Sequence, residues 1–320
     1  HMRLEMAPME SLTTYIYRNA HARHFGKMDK YYTPFLSLHK EKEFNHKERQ
    51  EILPEHNEGL CVVPQVLTNS SEDFLCAAKK LKDLGYDEIN INMGCPSGTV
   101  TTKAKGSGML QDPARLDRFL AEIFEKTPVD ISIKTRLGME KTDEWETLLQ
   151  IYNQYPIKEL IIHARVRTDF YQNTPNWDAY ANAVNNSTNP ICYNGDIFSV
   201  GDYIELKKCF PDTKNVMVGR GLLSNPFLAE QIYSVNGDAT AGEKTTISKE
   251  NYLKLQAFHD EVYGEYKRIM SGDMNVLFKM KELWSYMVKL WPDAPKQQKA
   301  IRKAKKCSEY ESIVKELFSM

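Results

Sequence analysis

The stretch INMGCPSG, Ile91–Gly98, places a cysteine followed at once by a proline just beyond a short apolar run, Glu88–Asn92. A structural cysteine belongs inside a strand; Cys95 falls where the chain turns. Free cysteine titrates near ~8.5, so at neutral pH it is a thiol that can hand over a proton as a general acid. Other polar residues fall at the ends of similar runs: Pro8–Met9, Gln65, Asn92, Lys134 with Arg136, His163 with Arg165, Asn194-Gly195-Asp196 and Gly219-Arg220-Gly221. Gln65, Lys134 and His163 suit an electron-rich ring. The two glycine turns let backbone N–H groups approach a phosphate, and Arg220 adds a charged donor. Ring and phosphate together point to a mononucleotide-type cofactor, with flavin mononucleotide (FMN) the best candidate. Taken singly, Gly-Arg-Gly is a turn, His163 a structural histidine and Lys134 a snorkelling lysine. Their common position at run ends is what makes a site.

Something must bring those ends together. Eight apolar or β-branched runs recur in the first 220 residues: Leu4–Pro8, Tyr31–Ser37, Cys61–Leu67, Glu88–Asn92, Asp130–Arg136, Glu159–Arg165, Pro190–Asp196 and Asn215–Arg220. Most lack strict alternation, as strands covered on both faces do. Helical period lies between them in Glu72–Leu84, Pro113–Phe124, Glu144–Tyr152 and Val200–Cys209. Asp112 before Pro113 is a helix start and Gly85 after Leu84 a helix stop. This α/β alternation predicts a closed (β/α)8 TIM barrel, with an open doubly wound sheet as runner-up. Chemistry in such barrels gathers at the carboxyl ends of strands, where the polar residues fall. The segment SVNGDATAGEKTTISKE reads as a linker. Beyond it only helical patterns follow: Asn251–Met270, Asn275–Leu290, Pro295–Lys306 and Glu309–Phe318. The expected organisation is a barrel over residues 1–240 and a small all-helical domain over 241–320.

Composition bounds the class. The 320 residues are 42% apolar and 27% charged, as in ordinary globular proteins. No apolar run reaches the ~20 residues of a membrane span, and the first residues read as a strand rather than a signal peptide. His1 before Met2 looks like a cloning remnant. Six cysteines form no C-x-x-C pair, so no metal site is expected, and a reducing cytoplasm is the natural setting. From Asn251 onward there are 13 Lys and Arg against 9 Asp and Glu, while the remainder has 29 against 34. A basic tail on an acidic body fits a polyanionic partner, although an ordinary solvated helix surface would look the same.

The motifs APMESLT (Ala7–Thr13), NMGCPSG (Asn92–Gly98), GSGMLQDP (Gly106–Pro113), SIKTRLGM (Ser132–Met139), IIHARVR (Ile161–Arg167), YNGDI (Tyr193–Ile197) and VGRGLLSNPFL (Val218–Leu228) form an ordered set. Together they resemble the dihydrouridine synthases, flavoenzymes that reduce uridine in RNA. The resemblance extends into the tail through MKELWSYM (Met280–Met287) and IRKAKKCSEY (Ile301–Tyr310). It implies that Cys95 is the proton donor and that Asn92 holds the target base. It implies flavin contacts for Gln65, Lys134 and His163, and a phosphate cradle of Asn194, Gly195, Gly219 and Arg220, beside which Asp196 is counted. Pro8 and Met9 would lie under the flavin ring, and Arg165 and Lys103 would serve the substrate. One position departs from the family pattern: Thr99 stands where a lysine is usual, with Lys103 and Lys105 following.

The implied reaction delivers hydride from reduced flavin to C6 of uracil and a proton from Cys95 to C5, with NADPH as reductant. The base must leave its stack to react. Lys299, Arg302, Lys303, Lys305 and Lys306 are the expected RNA-phosphate contacts, most plausibly on transfer RNA. Ribosomal RNA is an alternative substrate. A dihydroorotate-dehydrogenase-like reaction on a small pyrimidine and a non-catalytic flavin-bearing RNA-binding protein are the rival readings. No obligate protein partner is implied.

Overall fold

The computed structural model describes residues 2–37, 43–235 and 248–320. Ten parallel strands run in chain order: β1 (Arg3–Met6), β2 (Lys30–Tyr32), β3 (Leu36–Ser37), β4 (Val62–Val63), β5 (Gln65–Leu67), β6 (Glu88–Met93), β7 (Asp130–Arg136), β8 (Leu160–His163), β9 (Ile191–Asn194) and β10 (Asn215–Val218). Two expected runs are each split, and proline is the reason. Pro34 separates β2 from β3 and Pro64 separates β4 from β5, each removing a ladder N–H. β2 pairs with β4, and β3 with β5, so the halves act as two continuous crossings of the wall. With β1 joined to both β10 and β2, the ring closes as an eight-crossing parallel barrel.

The helices that alternate with these strands along the chain are α1 (Tyr15–Phe25), α2 (His46–Ile52), α3 (Ser71–Asp83), α4 (Gly98–Thr101), α5 (Pro113–Lys126), α6 (Glu144–Tyr152), α7 (Trp177–Asn186) and α8 (Val200–Cys209). The local signals for α5 and α3 act as expected. Asp112 accepts the Arg115 N–H at 3.1 Å, and Gly85 follows α3 at φ +102°, where a side chain would be strained.

Strand β6, EININM, alternates. Ile89, Ile91 and Met93 are fully buried apolar residues, whereas Glu88, Asn90 and Asn92 join a polar network. Lys30 on β2 reaches Glu88 on β6 at 2.9 Å and Glu159, which precedes β8, at 3.3 Å. Neither partner strand neighbours β2, so these contacts cross the barrel interior. The interior is therefore polar along much of its length, and the apolar core lies between strands and helices.

Contacts divide the chain into two compact units: His1–Pro8, Asp29–Asp196 and Leu206–Val218 form one, and Met9–Met28, Ile197–Glu205 and Gly219–Met320 the other. The expected boundary at 240/241 and most of the expected linker lie outside the described residues. The second unit contains α1, α9 (Arg220–Ser224), α10 (Leu228–Val235), α11 (Lys249–Ile269), α12 (Asp273–Met287), α13 (Pro295–Lys303) and α14 (Cys307–Phe318). Helix α1 belongs here because Phe258 of α11 packs edge-on against Tyr17 and Phe25 at 5.6 and 5.1 Å. Next to Phe258 in the middle of α11, His259 meets the Tyr310 hydroxyl at 2.7 Å, and the Trp284 indole meets the same hydroxyl at 2.6 Å. No described helix is long and apolar enough to cross a membrane.

Candidate active site

In the first unit, Gln65 opens β5, Lys134 lies within β7 two residues before its end, and Asn92, His163 and Asn194 lie at or next to the carboxyl ends of β6, β8 and β9. A single hydrogen-bond chain links several of them. The backbone N–H groups of Gly94 and Cys95 donate to Asn92 Oδ1 at 3.1 and 2.9 Å. Asn92 Nδ2 donates to Gln65 Oε1 at 3.1 Å, and Gln65 Nε2 to Asn90 Oδ1 at 2.9 Å. Asn90 Nδ2 donates to Ser132 Oγ at 2.9 Å, and Ser132 Oγ to Glu88 Oε2 at 2.8 Å. Backbone N–H groups only donate and a carboxylate only accepts, so the two ends force one orientation on every amide between them. Asn92 is thereby left with one amide N–H that bonds to nothing among the described residues, a donor suited to a carbonyl oxygen.

Lys134 pairs with Asn92 across the sheet and makes no hydrogen bond or ion pair among the described residues. Burial, and then the Arg136 guanidinium, push its ammonium down to about 8. Burial likewise lowers Arg136 to about 10, and its Nε has no partner there. Arg136 donates to Val166 O at 3.0 Å and lies 5.7 Å from the Tyr171 ring. Enclosed cations without counter-ions are costly unless a ligand completes them. Sequence reasoning placed Arg136 at a strand end but gave it no role.

Arg165 is 1% exposed and its guanidinium is saturated. It donates to Gln172 O (2.9 Å), Asn173 O (2.6 Å), both Asp196 oxygens (2.9 and 2.6 Å) and His163 Nε2 (3.1 Å). Arginine cannot accept, so His163 Nε2 must, and the ring proton resides on Nδ1. Arg165 and Asp196 thus brace His163 and the β9 turn. Asn194 donates to Met217 O at 3.3 Å. Gly195 sits at φ +154°, and a Cβ there would meet Pro175 and the Tyr193 hydroxyl at 3.1 Å. Pro8 lies two residues beyond β1, and Lys103 is exposed on the turn after α4.

Cys95 is partly buried, and its turn is held from several sides. Its carbonyl accepts the Ser107 N–H at 3.1 Å and the Ser107 hydroxyl at 2.9 Å. Gly106 is at φ +57°, and a Cβ would meet Cys95 O at 2.9 Å and Val100 Cγ1 at 2.8 Å, so only glycine closes this loop. Thr99 is exposed and shares a 3.0 Å hydrogen bond with Ser97.

The second unit holds Met9, Gly219 and Arg220. Met9 anchors a turn, its N–H donating to Thr13 Oγ1 at 2.8 Å. The guanidinium of Arg220 and the ammonium of Lys289 both lie over the Phe198 ring, at 5.2 and 5.4 Å, which concentrates positive charge. A Cβ on Gly221 would sit 1.9 Å from Ile197 O, so no side chain is admissible there. Lys289 and Phe198 carried no sequence signal, because only folding brings them beside Arg220. Lys299, Arg302, Lys303, Lys305 and Lys306 are all exposed, as is Lys296.

At the opposite end of the barrel interior, Glu5, Glu88 and Glu159 surround Lys30. Tyr32 donates to Glu5 at 2.5 Å. Burial, then the hydrogen bond and charge of Glu159, hold Glu5 well above the ordinary carboxyl range. Burial opposes charge on Lys30, but the carboxylates prevail and hold its ammonium above its ordinary value.

Residues 5–316 match the family model for dihydrouridine synthase (Dus). A curated relative from Cupriavidus necator, tRNA-dihydrouridine(16) synthase, is 27% identical over 98% of this chain and 97% of its own length. A probable tRNA-dihydrouridine synthase from Staphylococcus aureus (strain MRSA252) is 30% identical over 71% of this chain and 70% of that protein. The solved structure of TcOYE with pHBA aligns with a TM-score of 0.50 at 9% identity, covering 72% of this chain and 88% of that one, and supports the barrel fold.

Proposed function

The chain belongs to the dihydrouridine synthase family, and from that premise we propose that it reduces a uridine of transfer RNA to 5,6-dihydrouridine with bound FMN, which NADPH reduces. The observation that carries this reading is the juxtaposition at the barrel mouth. Cys95 is a thiol on a pinned turn, Asn92 is hydrogen-bonded to that turn and offers an N–H, and Lys134 neighbours Asn92 with no counter-ion.

These residues fit the flavin on their own chemistry. Lys134, Gln65 and His163 would hold the ring, Asn194 and Gly195 would meet the phosphate, and Gly219 and Arg220 are proposed for the same anion. Pro8 and Met9 are proposed beneath the ring. When bound, FMN supplies the hydride for C6 of the base. Asn92 holds the base through a carbonyl oxygen, and Cys95 delivers the proton to C5. Arg165 and Asp196 contribute by fixing His163 and the turn after β9. Lys103 is proposed to meet RNA in place of the lysine that Thr99 replaces. Residues 1–240 would carry the chemistry. The exposed cations of α13 and the turn after it, within 241–320, would carry phosphate contacts that weaken as salt rises. The setting is cytoplasmic, and no protein partner is required.

The test is reconstitution. Purified protein with FMN and NADPH is given transfer RNA lacking dihydrouridine, with ribosomal RNA and orotate as separate substrates. Dihydrouridine mapped in the transfer RNA is the expected result, and position 16 is the first to inspect because the C. necator relative is named for it. Flavin reoxidation by orotate alone would overturn the reading.

A further inference from the structure

The turn that carries Cys95 is gripped from a neighbouring strand's loop. Arg167, in the loop after β8, donates from Nε to Pro96 O at 3.1 Å and from a terminal nitrogen to Thr101 Oγ1 at 3.4 Å. Its guanidinium lies over the Phe170 ring at 5.1 Å, and its backbone N–H donates to Gly138 O at 2.8 Å. Phe170 itself adopts φ +52°, a conformation that bulky residues avoid, and this turns the chain so that the ring reaches Arg167. Thus the peptide carbonyl next to Cys95 is held by a cation that is itself fixed by its own backbone and by an aromatic ring. Asn92 and Ser107 hold the N–H and carbonyl of Cys95 from the β6 side, and Arg167 adds the one hold among these that comes from another strand's loop.

We infer that Arg167 is a positioning residue for the Cys95 thiol: it clips the Cys95–Pro96 turn to the β8 loop and sets the attitude in which the thiol meets the base. This rests on the reading of Cys95 as the proton donor. Charge-assisted hydrogen bonds are stronger than neutral ones, so releasing the clip should alter the turn's population of its closed form by roughly tenfold or more.

Two measurements on Arg167→Ala and Arg167→Lys holoenzyme test it. The first is alkylation of Cys95 by iodoacetamide, followed by peptide mass so that exposed Cys61 and Cys209 are counted separately. The second is reoxidation of dithionite-reduced flavin by transfer RNA. For Arg167→Ala we expect Cys95 alkylation to rise by about tenfold and reoxidation to slow by about tenfold, with flavin content and melting temperature retained. Arg167→Lys, which can still reach one carbonyl, should recover part of both. Phe170→Leu, which removes the ring under the guanidinium, should shift alkylation in the same direction by less. An unchanged Cys95 alkylation rate in Arg167→Ala overturns the inference. So does a loss confined to transfer RNA affinity, which would make Arg167 a phosphate contact. If instead Cys95→Ala turns over normally, the proton-donor reading fails, and the alkylation arm still decides whether the clip exists.

Discussion

At the floor of the barrel interior, Lys30 sits among Glu5, Glu88 and Glu159 and bonds to two of them within 3.3 Å. At the mouth, Lys134 is enclosed by the same barrel and has no carboxylate at all among the described residues. Both regions are polar and largely shielded, Lys30 buried and Lys134 half-buried, so burial alone does not account for their difference. Compensation does. The floor supplies a partner for its ammonium, with the floor carboxylates raising the Lys30 pKa even against burial. The mouth leaves an ammonium, a guanidinium nitrogen and an amide N–H incomplete, and burial lowers the Lys134 pKa. A charge-compensated polar core holds the strands in register, even though Glu5 Oε2 and Glu159 Oε1 there lack hydrogen-bond partners; cations left without counter-charge are a mould for something absent from the chain.

That contrast can be broken most directly at Lys30. Lys30→Met leaves buried carboxylates without their cation and should cost about 3–5 kcal/mol of stability, read by denaturant unfolding, while turnover per folded molecule holds. A stable variant with lost activity would make the floor part of the site. At the mouth the expectation reverses. Cys95→Ala should keep its fold and flavin while dihydrouridine formation drops by roughly 100-fold or more, the usual scale for a lost general acid. Wild-type turnover would remove Cys95 from the chemistry. Lys134 offers a smaller, titratable effect. With its ammonium near about 8, FMN affinity should hold below that pH and weaken above it as the charge is lost, by up to about tenfold per pH unit. FMN fluorescence titrations from pH 6.5 to 9.5, about ±1.5 units around that value, should show the inflection in the native chain and a flat profile in Lys134→Met. The same inflection in both would assign it elsewhere.

Much of this was legible in the sequence because barrel geometry sorts residues by position along a strand. Once the strands are placed, Asn92, His163 and Asn194 must share the carboxyl end whatever their partners, whereas Gln65 and Lys134 lie deeper, at the start of β5 and inside β7. The partners themselves were not legible. Gln65 to Asn90 spans 25 positions, Asn90 to Ser132 spans 42 and Arg167 to Pro96 spans 71. Such pairings follow from closure of the ring, which no local pattern encodes. The polar face of EININM was visible as alternation, but β6 was expected to be apolar on both sides, as barrel strands commonly are. Pro34 and Pro64 were visible too, yet the runs around them read as continuous because each crossing resumes its pairing after the break.

Glu5 gives the finest test of how the floor is compensated. Its carboxyl is raised first by burial and then by Glu159, so the folded protein keeps a proton there well above the ordinary value of 4.5. The unfolded chain releases that proton near 4.5, and between the two values folding must take a proton up. A group with a raised carboxyl pKa therefore stabilises fully at low pH and loses that contribution as pH rises, by about 1.4 kcal/mol per pH unit. Glu5→Gln removes the titration and keeps a donor for Glu159, because the amide N–H replaces the acid O–H. Every other titrating group is common to the two proteins and cancels in the difference. Stabilities measured by denaturant unfolding should nearly coincide at about pH 4.5 and diverge in favour of Glu5→Gln as pH rises towards 7.5, about three pH units higher. Parallel curves across that range would mean that Glu5 is ionised in the folded barrel, and that Lys30 alone balances the floor.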